Sequence, residues 1–179
     1  GNIVGHVSGV ENMGSLAEWT AKQFDPQLNW GDVEWIKKRW GGKLIIKGIM
    51  DAEDARLAVD SGADALIVSN HGGRQLDGAP SSIAALPAIV QAVGKDIEVW
   101  MDGGIRSGQD VLKARALGAH GTLIGRSFLY GLGAYGELGV TRVLEIIRKE
   151  LDLTMAFCGR TDINTVDSSI LLPGTYPTA

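Results

Sequence analysis

The sequence predicts a parallel α/β fold, and three observations carry that expectation. Short aliphatic runs at residues 44–46, 65–68, 97–101 and 122–124 alternate with helix-length segments. Runs that are apolar throughout, with helices between them, indicate a parallel sheet covered by helices. A weak internal repeat is the second observation: Asp54, Ala58, Gly62, Ala63 and Val68 align at constant offset with Asp110, Ala114, Gly118, Ala119 and Ile124. Third, every unusual polar residue falls just after a strand, where ligands bind in parallel α/β folds. Four strand–helix units are legible. A closed α/β barrel needs eight, and four also suit an open sheet, so the count leaves both architectures open.

Residues 1–30 are the least regular stretch. Residues 15–24 have the spacing of a short helix, with Leu16, Trp19, Ala21 and Phe24 apolar. Val4, Val7, Val10, Met13, Leu16 and Trp19 recur at roughly helical spacing. The segment reads either as a connecting loop packed on a neighbour or as a surface that touches a membrane or a partner. Residues 32–40 read as a helix with Val33, Ile36 and Trp40 inward. The strand at 44–46 follows, with Lys47-Gly48 at its C-terminal end. Asp51 caps the next helix, with Asp54 at capping-box spacing. Ala55, Leu57, Ala58 and Val59 form its apolar face, and Gly62 stops it. After the strand at 65–68 comes a polar loop, then a helix at 82–93 that Pro87 should interrupt or kink. The strand at 97–101 runs into Asp102-Gly-Gly-Ile-Arg106. Ser107 caps the following helix with Asp110 at the matching position, and Gly118 ends it. The last strand, 122–124, runs into Gly125-Arg126. A short helical turn is expected at 128–132. A long amphipathic helix is expected at 140–155, with Val143, Leu144, Ile147, Leu151 and Met155 on one side. Residues 161–179 carry no strong pattern.

The chemistry-bearing stretch is Ser69-Asn-His-Gly-Gly-Arg-Gln-Leu-Asp-Gly78. Its glycines let backbone approach a ligand. His71 can take a proton near neutral pH, and Arg74 can grip a carboxylate with two parallel hydrogen bonds. Taken alone, the stretch reads equally well as a polar surface loop with an incidental histidine. Asp102, Gly103, Gly104, Ile105 and Arg106, with Gly125 and Arg126 on the adjacent strand, have the makings of a phosphate cradle. Glycines expose backbone N–H groups, the helix start at Ser107 adds a positive dipole end, and the arginines neutralise charge. The plainer alternative is two tight turns with surface ion pairs. Lys47 points its amine into the rim or is salt-bridged there. His120 starts a strand at the opposite rim and reads as structural. His6 reads as solvated, and Cys158 as a packed thiol on the last helix.

Composition narrows the function classes. The chain has 179 residues, 45% hydrophobic and 21% charged, as expected of a globular domain with a real core. A net charge of −4 does not suggest a nucleic-acid partner. A single cysteine excludes an intrachain disulfide and a cysteine-rich metal site. No apolar run approaches the ~18 residues of a membrane helix.

Together, Lys47-Gly48, Ser69-Asn-His-Gly-Gly-Arg-Gln-Leu-Asp77, Asp102-Gly-Gly-Ile-Arg106 and Ile124-Gly-Arg126 resemble the FMN-dependent L-2-hydroxy-acid oxidases and dehydrogenases. That family includes glycolate oxidase, mandelate dehydrogenase and bacterial respiratory L-lactate dehydrogenase. Order and spacing hold from about Asp25 to Gly159. Phe24-Asp-Pro-Gln-Leu-Asn-Trp30 and Val33-Glu-Trp-Ile36 add to the likeness to the bacterial lactate dehydrogenases.

The resemblance implies a TIM (β/α)8 barrel with FMN at the C-terminal rim, this chain supplying strands five to eight. It implies that Lys47 lies by the flavin N1/O2 edge and that Ser69 touches the flavin. His71 is then the base and Arg74 the substrate-carboxylate clamp. Asp102, Gly103, Gly104, Ile105, Arg106, Gly125 and Arg126 would hold the ribityl and phosphate parts. The implied reaction is oxidation of an L-2-hydroxy acid to the 2-oxo acid, with L-lactate the expected substrate. The alternatives are an oxidase that uses oxygen on a glycolate- or mandelate-type substrate, and a non-catalytic phosphate- or nucleotide-binding half-barrel. A barrel dehydrogenase with a cysteine nucleophile is disfavoured, because Cys158 lies on the last helix and not in a rim loop.

Only the C-terminal half of the family pattern is present. The flavin-binding residues of the first four strands, the substrate-side tyrosines, a second arginine and the carboxylate that orients the histidine are not in this stretch. The expected organisation is therefore a loop segment at 1–30, half of an FMN-binding barrel at 31–160 and a tail at 161–179. The expected partners are a small 2-hydroxy acid and the N-terminal half of the same barrel, as a separate or missing segment. A homotetramer is the expected assembly. The expected location is cytoplasmic, with peripheral contact at the inner face of the cell membrane through the opening segment.

Overall fold

The computed structural model describes residue 3 and residues 6–177. Val4 of the apolar spacing noted above and the last two residues of the tail lie outside the described residues. Two helices open the chain, α1 (Met13–Ala21) and α2 (Trp30–Trp40). Four strands and four helices then alternate: β1 (Ile45–Ile49), α3 (Ala52–Asp60), β2 (Ala65–Val68), α4 (Ser82–Val93), β3 (Glu98–Met101), α5 (Gly108–Ala116), β4 (Gly121–Thr122) and α6 (Arg126–Phe157). The strands form one parallel sheet in the order β1-β2-β3-β4. Every crossover is a helix, as parallel pairing requires.

Register separates the two faces of the sheet. Ile46, Leu66 and Val99 are level across the first three strands, and Leu66, Val68, Val99 and Met101 lie in the main core with residues of α3 and α4. The opposite face carries Ile45, Lys47, Ile67 and Trp100. Lys47 was expected beyond the strand end, yet it lies within β1. The reason is a bulge: Lys47 pairs with Ile67 but Ile49 with Val68, so Gly48, at φ +100°, is the extra residue. One inserted residue reverses the side-chain alternation. Lys47 faces the inner side by ordinary alternation from Ile46, and the bulge after it returns Ile49 to the core.

The repeat read from the sequence is a repeat of geometry. Ala58 and Ala114 are both fully buried. The helix ends close alike, Ala63 N–H donating to Ala58 C=O at 3.1 Å and Ala119 N–H to Ala114 C=O at 3.0 Å. Ser107 and Asp110 make the expected capping box, whereas Asp51 caps α3 alone by accepting from the Glu53 N–H.

Some expectations are corrected. α2 does not turn Ile36 and Trp40 inward; Trp40 is 67% exposed. Its contact face runs instead through Trp30, which packs on the core, and Lys37, which pairs with Asp64. Asp64 also accepts from the Lys43 ammonium and the Leu44 N–H. Lys37, then Lys43 and Leu44, hold its carboxyl well below the usual carboxylate range, and Asp64 in turn raises Lys43. α4 runs without interruption through the buried Pro87. β4 is shorter than expected, with the Trp100 ring packed against Gly121. The two helical stretches near the end join as α6, broken at Tyr135–Gly136, and Leu144 faces solvent. His120 is structural: its N–H donates to Val99 C=O and its Nδ1 accepts from Val99 N–H. Cys158 packs with Leu112 and Val166 in a second, smaller cluster.

Candidate active site

The loops after the four strands meet at one end of the sheet. Lys47, His71, Arg74, Asp102, Gly103, Gly104, Ile105, Arg106, Gly125 and Arg126 all line a single open cleft. Of the residues singled out from sequence, Ser69 alone lies beneath the cleft surface. It is buried at the end of β2, in line with the inner-face residue Ile67.

Ser69 organises the cleft floor. Its hydroxyl donates to Asp102 Oδ1 and accepts from Lys47 Nζ at 3.0 Å. It also accepts from the His71 backbone N–H at 3.1 Å. The Lys47 ammonium lies 3.3 Å from Asp102 Oδ2 and 3.5 Å from His71 Nδ1. Three successive strands thus contribute one lysine, one serine and one aspartate on the inner face: Ser69 and Asp102 follow the paired Val68 and Met101, and Lys47, level with Ile67, reaches up to both. The network fixes the ammonium and leaves it at the mouth of the cleft, where it is half-exposed.

The His71 loop is a left-handed turn. His71, Gly72 and Gly73 have φ of +56°, +67° and +70°. Glycine adopts this freely, but a non-glycine residue there is disfavoured by roughly 1–2 kcal/mol. The turn is held from outside. Both Arg126 Nη atoms donate to Gly72 C=O at 3.2 Å, and Asn70 Oδ1 accepts the Gly72 N–H at 3.0 Å. His71 and Arg74 are both exposed on this loop.

The glycine loops are arranged to receive an anion, with one change from expectation. The N-terminus of α5 is partly occupied by protein groups: Asp110 accepts from the Arg106 and Ser107 N–H groups, and Glu150 accepts from the Gly108 N–H at 2.9 Å. The start of α6 is different. Gly125 makes no side-chain cap, no acidic residue sits in its first turn, and Arg126 and Ser127 line the cleft there. Unsatisfied N–H groups at a helix start favour negative charge. Cβ atoms built on Gly104 and Gly125 meet nothing within 4 Å, so their backbone faces open space. Arg106 and Arg126 bring two positive charges to the same place. The residues present therefore fit the phosphate of a phosphorylated cofactor.

Sequence reasoning missed Asn70, Ser82 and Glu150. The Asn-x-Gly spacing at 70–72 is a local signal for an Asx turn. No local signal could pair Glu150 with Gly108, since they meet only through packing of α5 on α6.

Comparisons with known proteins converge on this reading. The profile described as FMN-dependent dehydrogenase matches residues 3–173. An L-lactate dehydrogenase of Caulobacter vibrioides is 48% identical over 171 residues, covering 96% of this chain and 45% of that protein. One from Pseudomonas syringae pv. syringae is 50% identical over 172 residues, again covering 96% and 45%. Among solved structures, the monotopic membrane protein (S)-mandelate dehydrogenase aligns with a TM-score of 0.84 at 40% identity, over 92% of this chain and 43% of that one. A mandelate oxidase bound to (S)-4-hydroxymandelic acid aligns with a TM-score of 0.83 at 42% identity, over 89% and 46%. The chain spans less than half the length of each of these relatives. Its parallel sheet is a partial TIM barrel.

Proposed function

The chain belongs to the FMN-dependent dehydrogenase family, and from that premise we propose that it forms the C-terminal half of an active site that oxidises an L-2-hydroxy acid, L-lactate, to the 2-oxo acid. The observation that carries this reading is the convergence of His71, Arg74 and Lys47 on one cleft whose far wall is a glycine- and arginine-lined anion cradle. Phosphate binding alone would not require a base and a second guanidinium beside it.

Residues 31–160 form the cofactor-binding half-barrel in this proposal. FMN, when bound, supplies the two-electron acceptor. Gly104, Gly125, Arg126 and Arg106 hold its phosphate, and Asp102 with the Gly103 backbone holds the ribityl chain. Lys47, fixed by Ser69 and Asp102, places positive charge at the edge of the ring where negative charge accumulates on reduction. Arg74 grips the substrate carboxylate through two parallel N–H donors. His71 takes the proton released as the alcohol becomes a ketone, which requires it within hydrogen-bond reach of that proton. L-lactate as substrate is supported by the names of the relatives at 48% and 50% identity.

The decisive experiment is stopped-flow reduction of bound flavin by L-lactate in the barrel completed with its N-terminal half. His71→Ala should slow the step by ~10²–10⁴-fold while FMN stays bound. A rate within a few-fold of wild type removes His71 from the mechanism. Faster reduction by mandelate than by lactate would reassign the substrate.

The opening segment fits peripheral membrane contact. α1 has no buried residue, and Met13, Phe24 and Leu28 are strongly exposed. No helix among the described residues is long and apolar enough to cross a membrane. The doubly substituted Phe24→Ser/Leu28→Ser protein should lose co-flotation with phospholipid vesicles that the wild type shows. Equal behaviour of the two would exclude this contact.

A further inference from the structure

His71 and Arg74 sit on an exposed loop, residues 71–80, and their placement depends on how that loop is held. Four hydrogen bonds converge on Asn70. Its side-chain Oδ1 accepts the Gly72 N–H at 3.0 Å, and its Nδ2 donates to Pro80 C=O at 3.2 Å. Its backbone N–H donates to Ser82 Oγ at 3.1 Å, and its C=O accepts the Gly73 N–H at 3.0 Å. One planar amide therefore ties the first turn of the loop to its last residue. The anchor behind it is rigid, because Ser82 is 2% exposed at the start of α4.

The cofactor loop leans on the same support. A Cβ on Gly103 would come within 2.9 Å of Ser82 Oγ and 3.1 Å of Asn70 Oδ1. The position of the Asp102–Arg106 loop and that of the His71 turn are thus set against one pair of side chains. Only a side chain with an acceptor and a donor on one rigid group can make both loop contacts. Aspartate offers acceptors alone when ionised, and alanine neither.

Resting on the proposed function, we infer that Asn70 is the positioning residue of this active site, acting through His71 by clamping both ends of the loop that carries it. Asn70→Ala should slow flavin reduction, measured per bound FMN at saturating L-lactate, by about 10²-fold, the cost of a small misplacement of reacting groups. Because Asn70 acts through the histidine, Asn70→Ala/His71→Ala should be no slower than His71→Ala alone. In the 179-residue chain itself, hydrogen exchange should show loss of protection at the Gly72 and Gly73 amides in Asn70→Ala while β2 and α4 stay protected. Should Asn70→Ala not fold, Asn70→Asp keeps the acceptor for Gly72 and loses the donor to Pro80. It should be roughly tenfold slower, the worth of one hydrogen bond, and again without further effect in the His71→Ala background. A slow His71→Ala beside a normal Asn70→Ala or Asn70→Asp overturns this inference alone. So does an Asn70 effect that multiplies with that of His71, or unchanged exchange at Gly72 and Gly73. A normal His71→Ala rate overturns the proposed function and this inference with it.

Discussion

Arg74 and Gly104 test the two ends of the cleft separately. Arg74→Lys keeps the charge but replaces a planar two-donor fork by a point ammonium. Binding of a 2-oxo acid product or of oxalate should weaken by about tenfold or more, the worth of one charge-assisted hydrogen bond, while FMN affinity holds. Unchanged oxalate affinity would show that Arg74 is not the clamp. Gly104→Ala acts at the other end. Its Cβ would meet no protein atom, so the fold has room for it, but φ at this position is +82° and the methyl would enter the cradle. FMN binding, followed by quenching of flavin fluorescence, should weaken more than binding of riboflavin, which has no phosphate. Equal losses for the two would place the phosphate elsewhere. Lys47, Ser69 and Asp102 could each be picked from sequence as a polar residue after a strand. Their mutual contacts could not, because they depend on how the three strands pair. A glycine after an aliphatic run looks like the end of a strand, and only pairing with β2 shows that the strand continues.

Elements whose ends are set by local chemistry were legible. The bounds of α4 and β2 agree with the sequence reading, and the Ser107–Asp110 box starts α5 as expected. What periodicity could not supply was which face a helix buries when several are apolar. Trp35, Ile36 and Trp40 of α2 form an apolar side that faces away from the core, and the helix is anchored through the Lys37–Asp64 pair. That anchor has a pH signature. The Asp64 pKa is depressed in the folded chain, so its contribution is fully present above the unfolded carboxylate value and fades as pH falls below it. Asp64→Asn should lower the urea midpoint near pH 7 and flatten the loss of stability on acidification below about pH 4. Parallel wild-type and variant curves down to pH 2 would show that Asp64 carries none of that dependence. α6 holds a second element-scale dependence. Its two arms cross where a Cβ on Gly139 would lie 1.9 Å from Gly131 C=O, a clash of backbone with no side chain able to yield. Gly139→Ala should cost roughly 1–3 kcal/mol as overpacking. By shifting the arm that begins at Arg126 it should also lower FMN affinity. A variant with wild-type melting and FMN binding would show that the crossing does not set the cradle.

A whole barrel is what the sheet lacks. Among the described residues, β1 and β4 each pair on one side only, which leaves an open edge at either end of the sheet. The face that would line the barrel carries Ile45 at 56% exposure and Leu123 at 37%, beside Lys47 and Trp100. Apolar residues on an open face with two free edges are what a covering partner would bury. Strands one to four of the family would pair both edges and cover this face. They would also cover the cleft, which is open in this chain. The 179-residue chain alone should therefore bind FMN weakly and show no reduction of flavin by L-lactate. Co-expression with the N-terminal half of one of the lactate dehydrogenase relatives should yield a complex of the two polypeptides on size exclusion, together with lactate-dependent bleaching of flavin absorbance. The internal repeat makes a sharper contrast available. Because α3–β2 and α5–β4 share one geometry, the free edge of β4 resembles the edge that β2 offers to β3, so a second copy of the chain would compete for it. Mass spectrometry of the intact assembly separates the outcomes. A one-to-one complex of the two halves that bleaches with lactate supports closure by the missing strands. A folded, monodisperse 19.0 kDa species that turns over lactate alone would show that the four strands already make a complete site.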